Sequence, residues 1–355
     1  MRHLDNEEEF FKTYCQYCQR LDLMDMLNDA VVITAASNGM IVFMNKKACH
    51  MYGYSAQEYE QMPFAGLVED VTPTVENRFE QVAASGDAGL TYIAHHLRKS
   101  GEIFTVEVST RFLKLHGTPI FAALIRDITV NMQVQNEVQL ASMIQKGFLP
   151  ADLENELFSL KTIYYPQNYV SGDLYDYKWQ KNTNQIYGYV IDIMGHGVAT
   201  ALQASALRVL FGQAVETESS LTEKLSWVNR QAMSYFAEGS FAAALLFVID
   251  TEKKELSYAS AGIHHFLSSD GEDVQVVTTP GLFLGIYSDA LYTEHTMYFD
   301  GEHSFCFLTD GLMELLPQTP AEMPSEFEQL VSYLEAKTHD SRRHDDASAL
   351  CMYIK

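Results

Sequence analysis

The chain has 355 residues, with 24 Lys plus Arg against 47 Asp plus Glu, a formal charge of −23, and 47% hydrophobic residues. That length favours two domains over one, and that charge repels both the nucleic-acid backbone and anionic lipid headgroups, so neither nucleic acid nor membrane is expected as a partner. Cys15, Cys18, Cys49, Cys306 and Cys351 are an odd, scattered set rather than a disulfide framework, and the longest apolar stretch, 241–249, is far short of the ~20 residues that span a bilayer. With no apolar run in MRHLDNEEEFF to serve as a signal peptide, the expectation is a soluble cytoplasmic protein.

Residues 1–27 form the first segment. Within it, 7–27 reads as an amphipathic helix with Phe10, Tyr14, Tyr17, Leu21 and Met24 at steps of three and four. Cys15 and Cys18 make a lone C-x-x-C, and without a second pair neither zinc nor redox work is expected there. From 28 to 128 the pattern changes to short strands and turns. VVITA, the turn Ser37-Asn38-Gly39 and MIVFMN lead to a short helical region, then to two longer strands in YIAHHLRKSGEIFTVEVSTRFLKL. A mixed α+β domain of about 100 residues fits this order.

Residues 129–150 form a linker. The stretch VNMQVQNEVQLASMIQKGFL has no Gly or Pro before Gly147, and Val134, Val138, Ala141, Gln145 and Phe148 follow the a/d rhythm of a coiled coil. A helix lying on the next domain and a dimeric signalling helix are both open, and Pro150 is expected to end it. Residues 151–355 form the last domain. QIYGYVID, FAAALLFVID, LSYASAG, DVQVVTT, HSFCFLTD and SALCMYI read as strands, while GVATALQASALRVLFGQAV and LTEKLSWVNRQAMSYFAEG read as amphipathic helices. Two packed antiparallel sheets flanked by helices are the expected architecture.

Aspartates stand at the ends of these strands: Asp173 after Ser171-Gly172, Asp192 before Ile193-Met194-Gly195-His196-Gly197, Asp310 before Gly311, and the pair Asp345-Asp346. One Asp beside a Gly is usually a turn residue. Several strand-end carboxylates brought to one sheet edge are instead hard oxygen ligands suited to Mg²⁺ or Mn²⁺ and to phosphate chemistry.

Two resemblances extend this reading. NGMIVFMNKKACHMYGYS, RKSGEIFTVEVS and GTPIFAALIRDIT, in that order, resemble a PAS domain, a fold that senses ligands or mediates dimerisation. The cysteine motif of flavin-binding photosensors is absent, the ligand is unknown, and His50, His95 and His96 are weak candidates for haem. YVSGDLYDY, VIDIMGHGVATAL, ASAGIHHFLSSDGE, TTPGLFLGI, FLTDGLMEL and DDASALCMYI resemble, over about 138–355, the metal-dependent PPM-type Ser/Thr phosphatases of the SpoIIE branch. LASMIQKGFLP resembles the helix and Leu-Pro that introduce that branch.

The resemblance implies an N-terminal PAS domain, a helical linker and a C-terminal α-β-β-α sandwich. It implies two Mn²⁺ or Mg²⁺ ions, with Asp192 bridging both, the Ile193 carbonyl and Asp173 serving one, and Asp310 with Asp345 serving the other. Asp346 stays open as the alternative to Asp345, and His196 is a candidate proton donor to the leaving serine oxygen. The implied reaction is in-line attack of an activated water on phosphoserine or phosphothreonine. The implied partner is a phosphorylated anti-sigma-factor antagonist of the STAS type in a bacterial stress pathway, with a homodimer through the PAS domain and linker. The sequence departs from the usual pattern at Ser171 and at Ala261-Gly262-Ile263-His264-His265. The rival readings are a sensor scaffold that binds its partner through a phosphatase-like fold without turnover, and a nucleotide-cyclising output enzyme, against which the lack of a Gly-Gly-Asp/Glu-Glu-Phe signature counts.

Overall fold

The computed structural model describes residues 22–60, 62–69, 75–115, 117–217, 219–236 and 239–355. Most of the expected first helix, with Cys15 and Cys18, therefore lies outside the described residues. The chain divides into two units, 1–136 and 137–355.

In the first unit a short helix α1 (Asp22–Asp25) precedes β1 (Ala30–Ala35) and β2 (Ile41–Met44), then α2 (Lys46–Tyr52), α3 (Ala56–Tyr59) and α4 (Val75–Ala84). β3 (Leu90–Leu97), β4 (Ile103–Leu115) and β5 (Thr118–Asp127) complete an antiparallel sheet of order β2-β1-β5-β4-β3. Alternation in β4 sends Phe104, Val106 and Val108 into a core shared with Ile41, Tyr52 and Leu67. Asn45 fastens the helical segment to the sheet. Its Oδ1 caps α2 through the Ala48 amide at 2.9 Å and also accepts from Val31 N–H at 2.9 Å, while its Nδ2 donates to the Met24 and Asp29 carbonyls. Asn45 is fully buried, so Asn45→Ala leaves several main-chain groups unpaired and is expected to cost about 3 kcal/mol. Chemical denaturation followed by far-UV circular dichroism checks this as an earlier transition.

Helix α5 (Thr129–Lys146) follows, and from Glu137 onward it belongs to the second unit. It stops at Lys146, four residues before Pro150. Gly147 is a poor helix former, and Phe148 and Leu149 close tighter i to i−3 turns onto Gln145 and Lys146. Of the heptad positions, Val134 and Phe148 are exposed and Gln145 is buried.

The second unit continues with β6 (Leu153–Glu154), β7 (Phe158–Tyr165), β8 (Leu174–Gln180), β9 (Gln185–Ile193), α6 (Val198–Val215) and α7 (Leu221–Ala232). Strands β10 (Ala242–Asp250), β11 (Glu255–Ala261), β12 (His265–Ser269), β13 (Val274–Thr278), β14 (Glu294–Tyr298) and β15 (His303–Leu308) come next. The unit ends with α8 (Asp310–Met313), α9 (Phe327–Lys337) and β16 (Ala347–Ile354). Two antiparallel sheets, β14-β11-β10-β9-β8 and β13-β12-β15-β16-β7-β6, face each other.

The expected sandwich is present in three apolar layers. Phe158, Val190, Leu245, Phe247, Phe305, Phe307 and Leu350 fill the space between the sheets. α6 and α7 cover the first sheet through Leu207, Phe211, Leu225 and Val228, and α9 covers the second through Phe327, Leu330 and Leu334. By length and composition α6 would be able to cross a membrane. Part of that apolar composition is buried against the first sheet, while Val198, Leu202 and Val209 are exposed. Helices α8 and α9 and strands β6, β7, β8, β12 and β14 are absent from the elements expected from sequence, and α7 ends at Ala232, short of the expected helix.

Between the sheets the rings of Phe247 and Phe307 stack with centroids 3.9 Å apart. Gly188 in β9 makes room for Phe247, because a Cβ there would penetrate the ring. Gly188→Ala is expected to cost about 2 kcal/mol by overpacking, read as a lower urea midpoint at unchanged slope.

Candidate metal centre

Strand periodicity gathers the aspartates. In β9, Ile186 and Val190 lie between the sheets while Tyr189 and Ile191 lie against the helices. A period of two puts Asp192, near the end of the strand, on the inter-sheet side. Asp173 directly precedes β8, in which Leu174 meets the helices and Tyr175 the inter-sheet core, so Asp173 shares that side. The β8–β9 register sets Leu174 opposite Ile191, which brings Asp173 and Asp192 to the same edge. From the other sheet, Asp310 opens α8 directly after β15, and Asp345 and Asp346 lead into β16, which pairs with β15 from Leu308 opposite Ala349 onward.

Hydrogen bonds tie the two sheets together here. The buried Thr309 hydroxyl donates to Asp173 Oδ2 at 2.7 Å, and Thr309 N–H donates to the Ser348 carbonyl at 3.0 Å. Asp346 is buried and accepts through both oxygens, from Gln167 N–H at 2.7 Å and from Gly172 N–H at 2.8 Å. Asp345 Oδ1 accepts from Asp346 N–H, and the Asp310 amide lies 3.5 Å from Asp192 Oδ2. Gly172 is required by space. A Cβ there would lie 2.7 Å from Thr200 Cγ2 and 2.9 Å from the Ile193 carbonyl oxygen, so this carbonyl adjoins the segment carrying Asp173.

Burial first, then the charges of Asp173 and Asp310, pushes the Asp192 carboxyl well above the usual carboxylate range. Burial and the Asp346 charge do the same to Asp173, against the lowering effect of Thr309. Burial also raises Asp345. Among the described residues no three His, Cys, Asp or Glu side chains are gathered tightly enough to hold an ion unaided. Like charges repel, and several of these oxygens are engaged by protein donors. A hard dication would relieve that repulsion at the oxygens left without a donor, so the all-oxygen set fits Mg²⁺ or Mn²⁺.

Of the remaining candidates, His196 is exposed on the turn between Gly195 and Gly197, both at positive φ, and its Nδ1 lies 3.3 Å from Asn168 Nδ2. Thr309, within FLTDGLMEL, and Gln145, a heptad position within LASMIQKGFLP, position Asp173 and the segment before it, roles that neither motif assigned to them. In the first unit His95 and His96 point to opposite faces of β3. His96 is buried, with Nδ1 2.6 Å from the Tyr52 hydroxyl and Nε2 unpartnered, and burial pushes it down to about 3. His95 faces out beside Thr105, and His50 is exposed.

Residues 183–355 match the family model of Stage II sporulation protein E (SpoIIE), and residues 28–130 match that of a PAS domain. Among curated proteins, the phosphoserine phosphatase RsbP of Bacillus subtilis (strain 168) is 25% identical over 190 residues, 52% of this chain and 46% of that protein. The phosphoserine phosphatase RsbU of the same organism is 22% identical over 188 residues, 52% of this chain and 56% of that protein. The chain thus matches about half the length of these relatives. Among solved structures, the SiaA-PP2C domain of Pseudomonas aeruginosa aligns with a TM-score of 0.52 at 23% identity, covering 63% of this chain and 97% of that domain, a likeness of fold.

Proposed function

We propose, from a chain that joins a PAS domain to a SpoIIE-type PPM phosphatase domain, that this protein is a metal-dependent protein serine/threonine phosphatase regulated by its PAS domain. The observation that carries this reading is the meeting of strand-end aspartates from both sheets at one edge, where burial first, and then neighbouring carboxylate charges, raise both Asp173 and Asp192.

In this reading Asp173, Asp192, the Ile193 carbonyl, Asp310 and Asp345 would hold two Mn²⁺ or Mg²⁺ ions, Asp173 and the Ile193 carbonyl serving one, Asp310 and Asp345 the other, and Asp192 both. Asp345 is preferred to Asp346, because both Asp346 oxygens already fasten the main chain of Gln167 and Gly172. Two such ions, when bound, supply an activated water and neutralise the phosphoryl oxygens. Thr309 orients Asp173 by its hydroxyl, and Asp346 fixes the approach of the segment before β8. His196, exposed on the turn before α6, would donate a proton to the leaving serine oxygen. The substrate inferred from the SpoIIE resemblance is a phosphorylated STAS-type anti-sigma-factor antagonist, with a homodimer through the PAS domain and α5.

Phosphate release from a generic aryl phosphate, with Mn²⁺ and with chelator, tests the chemistry. Release that requires Mn²⁺ is the expected result, and no release under either condition would favour a scaffold. A panel of phosphoserine STAS proteins tests the substrate class.

A further inference from the structure

Helix α5 has one buried residue, and it is polar. Gln145, in the last turn, is 4% exposed. Its side-chain amide makes three hydrogen bonds. Nε2 donates to the Ser171 carbonyl at 2.7 Å, and Oε1 accepts from Ser171 N–H at 3.0 Å and from the Tyr164 hydroxyl at 3.0 Å. The donor and acceptor exchange with Ser171 imitates a β-bridge, made by a side chain on a helix. Ser171 is itself fully buried, so its main-chain groups have no water to fall back on.

The hold passes directly to the candidate centre. Ser171 Oγ accepts from Asp173 N–H at 3.0 Å, and Gly172 N–H donates to Asp346. The segment that ends in Asp173 is thus fastened on one flank by the helix and on the other by Asp346. A side-chain amide of this kind depends on orientation. Turning α5 by one residue, or sliding it by one rise of ~1.5 Å, carries both amide atoms away from Ser171 together. An apolar residue of similar volume would tolerate such a shift.

We propose that Gln145 is a positioning residue that couples the rotational and axial setting of α5 to the placement of the Asp173 carboxylate, and thereby sets the affinity of the centre for a divalent cation. This deepens the reading above and rests on it. It gives the linker a specific point of action: whatever moves α5 acts on the Ser171–Asp173 segment through one side chain. The surrounding main chain need not rearrange for the effect to be felt.

The test is direct Mn²⁺ binding to the full-length protein by calorimetry, alongside turnover at saturating Mn²⁺. Gln145→Leu is expected to weaken Mn²⁺ binding about tenfold, the low end for changes behind a metal ligand, with turnover at saturating metal falling much less. Tyr164→Phe, which removes one of the three bonds, is expected to weaken binding about threefold by the same reasoning. Gln139→Leu, on the exposed face of α5, should bind Mn²⁺ as the unaltered protein does. Wild-type affinity in both Gln145→Leu and Tyr164→Phe would overturn the coupling. If Gln145→Leu does not fold, Tyr164→Phe decides by the same criterion. An unaltered protein that binds no Mn²⁺ would overturn the metal-phosphatase reading and the coupling with it, whereas binding that is insensitive to these changes overturns the coupling alone.

Discussion

Replacing Asp192 with Ala is expected to lower Mn²⁺-dependent phosphate release from a phosphoserine protein at least about 1,000-fold, the several kcal/mol that such ions supply. Asp192 occupies the place where the other carboxylates meet, since Asp173, Asp310 and Asp345 all act on it. A second readout separates a metal role from a structural one. The Asp192 carboxyl is raised above its ordinary value, so its favourable contribution to folding is complete only below the unfolded value of 3.8 and is lost as pH rises through the folded value. At neutral pH in chelator the ionised group is therefore a cost, and Asp192→Asn should unfold at a higher temperature than the unaltered protein. Added Mn²⁺ should raise the midpoint of the unaltered protein and leave that of Asp192→Asn nearly still. Retained Mn²⁺-dependent turnover in Asp192→Ala would remove this residue from the centre.

The second large effect is expected at Gly311. In sequence it reads as the flexible partner of Asp310, yet its φ is not positive. Space is the constraint. A Cβ on Gly311 would stand well inside contact with the Asp346 carbonyl oxygen and 3.1 Å from Asp345 Cβ. The obstacle is main chain at the entrance to β16, which cannot swing aside as a long side chain would. Gly311→Ala must therefore separate α8 from β16, and with them Asp310 from Asp345. A loss of about 3 kcal/mol in stability is expected, together with about a 100-fold loss of turnover at saturating Mn²⁺, the scale of a 1 Å misplacement of reacting groups. Urea unfolding and single-turnover phosphate release check both. Unchanged turnover would mean that the Asp310–Asp345 spacing is not critical.

Several elements were legible because their sequence carries a period. In β9 the alternation of Ile186, Gly188 and Val190 with Tyr187, Tyr189 and Ile191 gives the strand, its two buried faces and the side on which Asp192 falls. In the first unit MIVFMN contains β2, and the Asn that follows it caps α2. Helix α9 was not legible although Phe327, Leu330 and Leu334 keep a helical spacing, because its 11 residues give the period barely three turns in which to stand out. Strand β14 alternates polar and half-exposed residues at a sheet edge, and such a strand carries little apolar signal.

Sequence by itself determined which carboxylates are available and that strand ends hold them, since periodicity and flanking glycines are local properties. The tertiary structure alone decided how they are supported. Asp346 fastens Gln167 and Gly172 from nearly half the chain away, Thr309 reaches across the sandwich to Asp173, and Gln145 joins a helix to the Ser171 main chain. These are pairings between residues remote in sequence, made by polar groups that burial forces to find partners. No local pattern encodes which partner each will find.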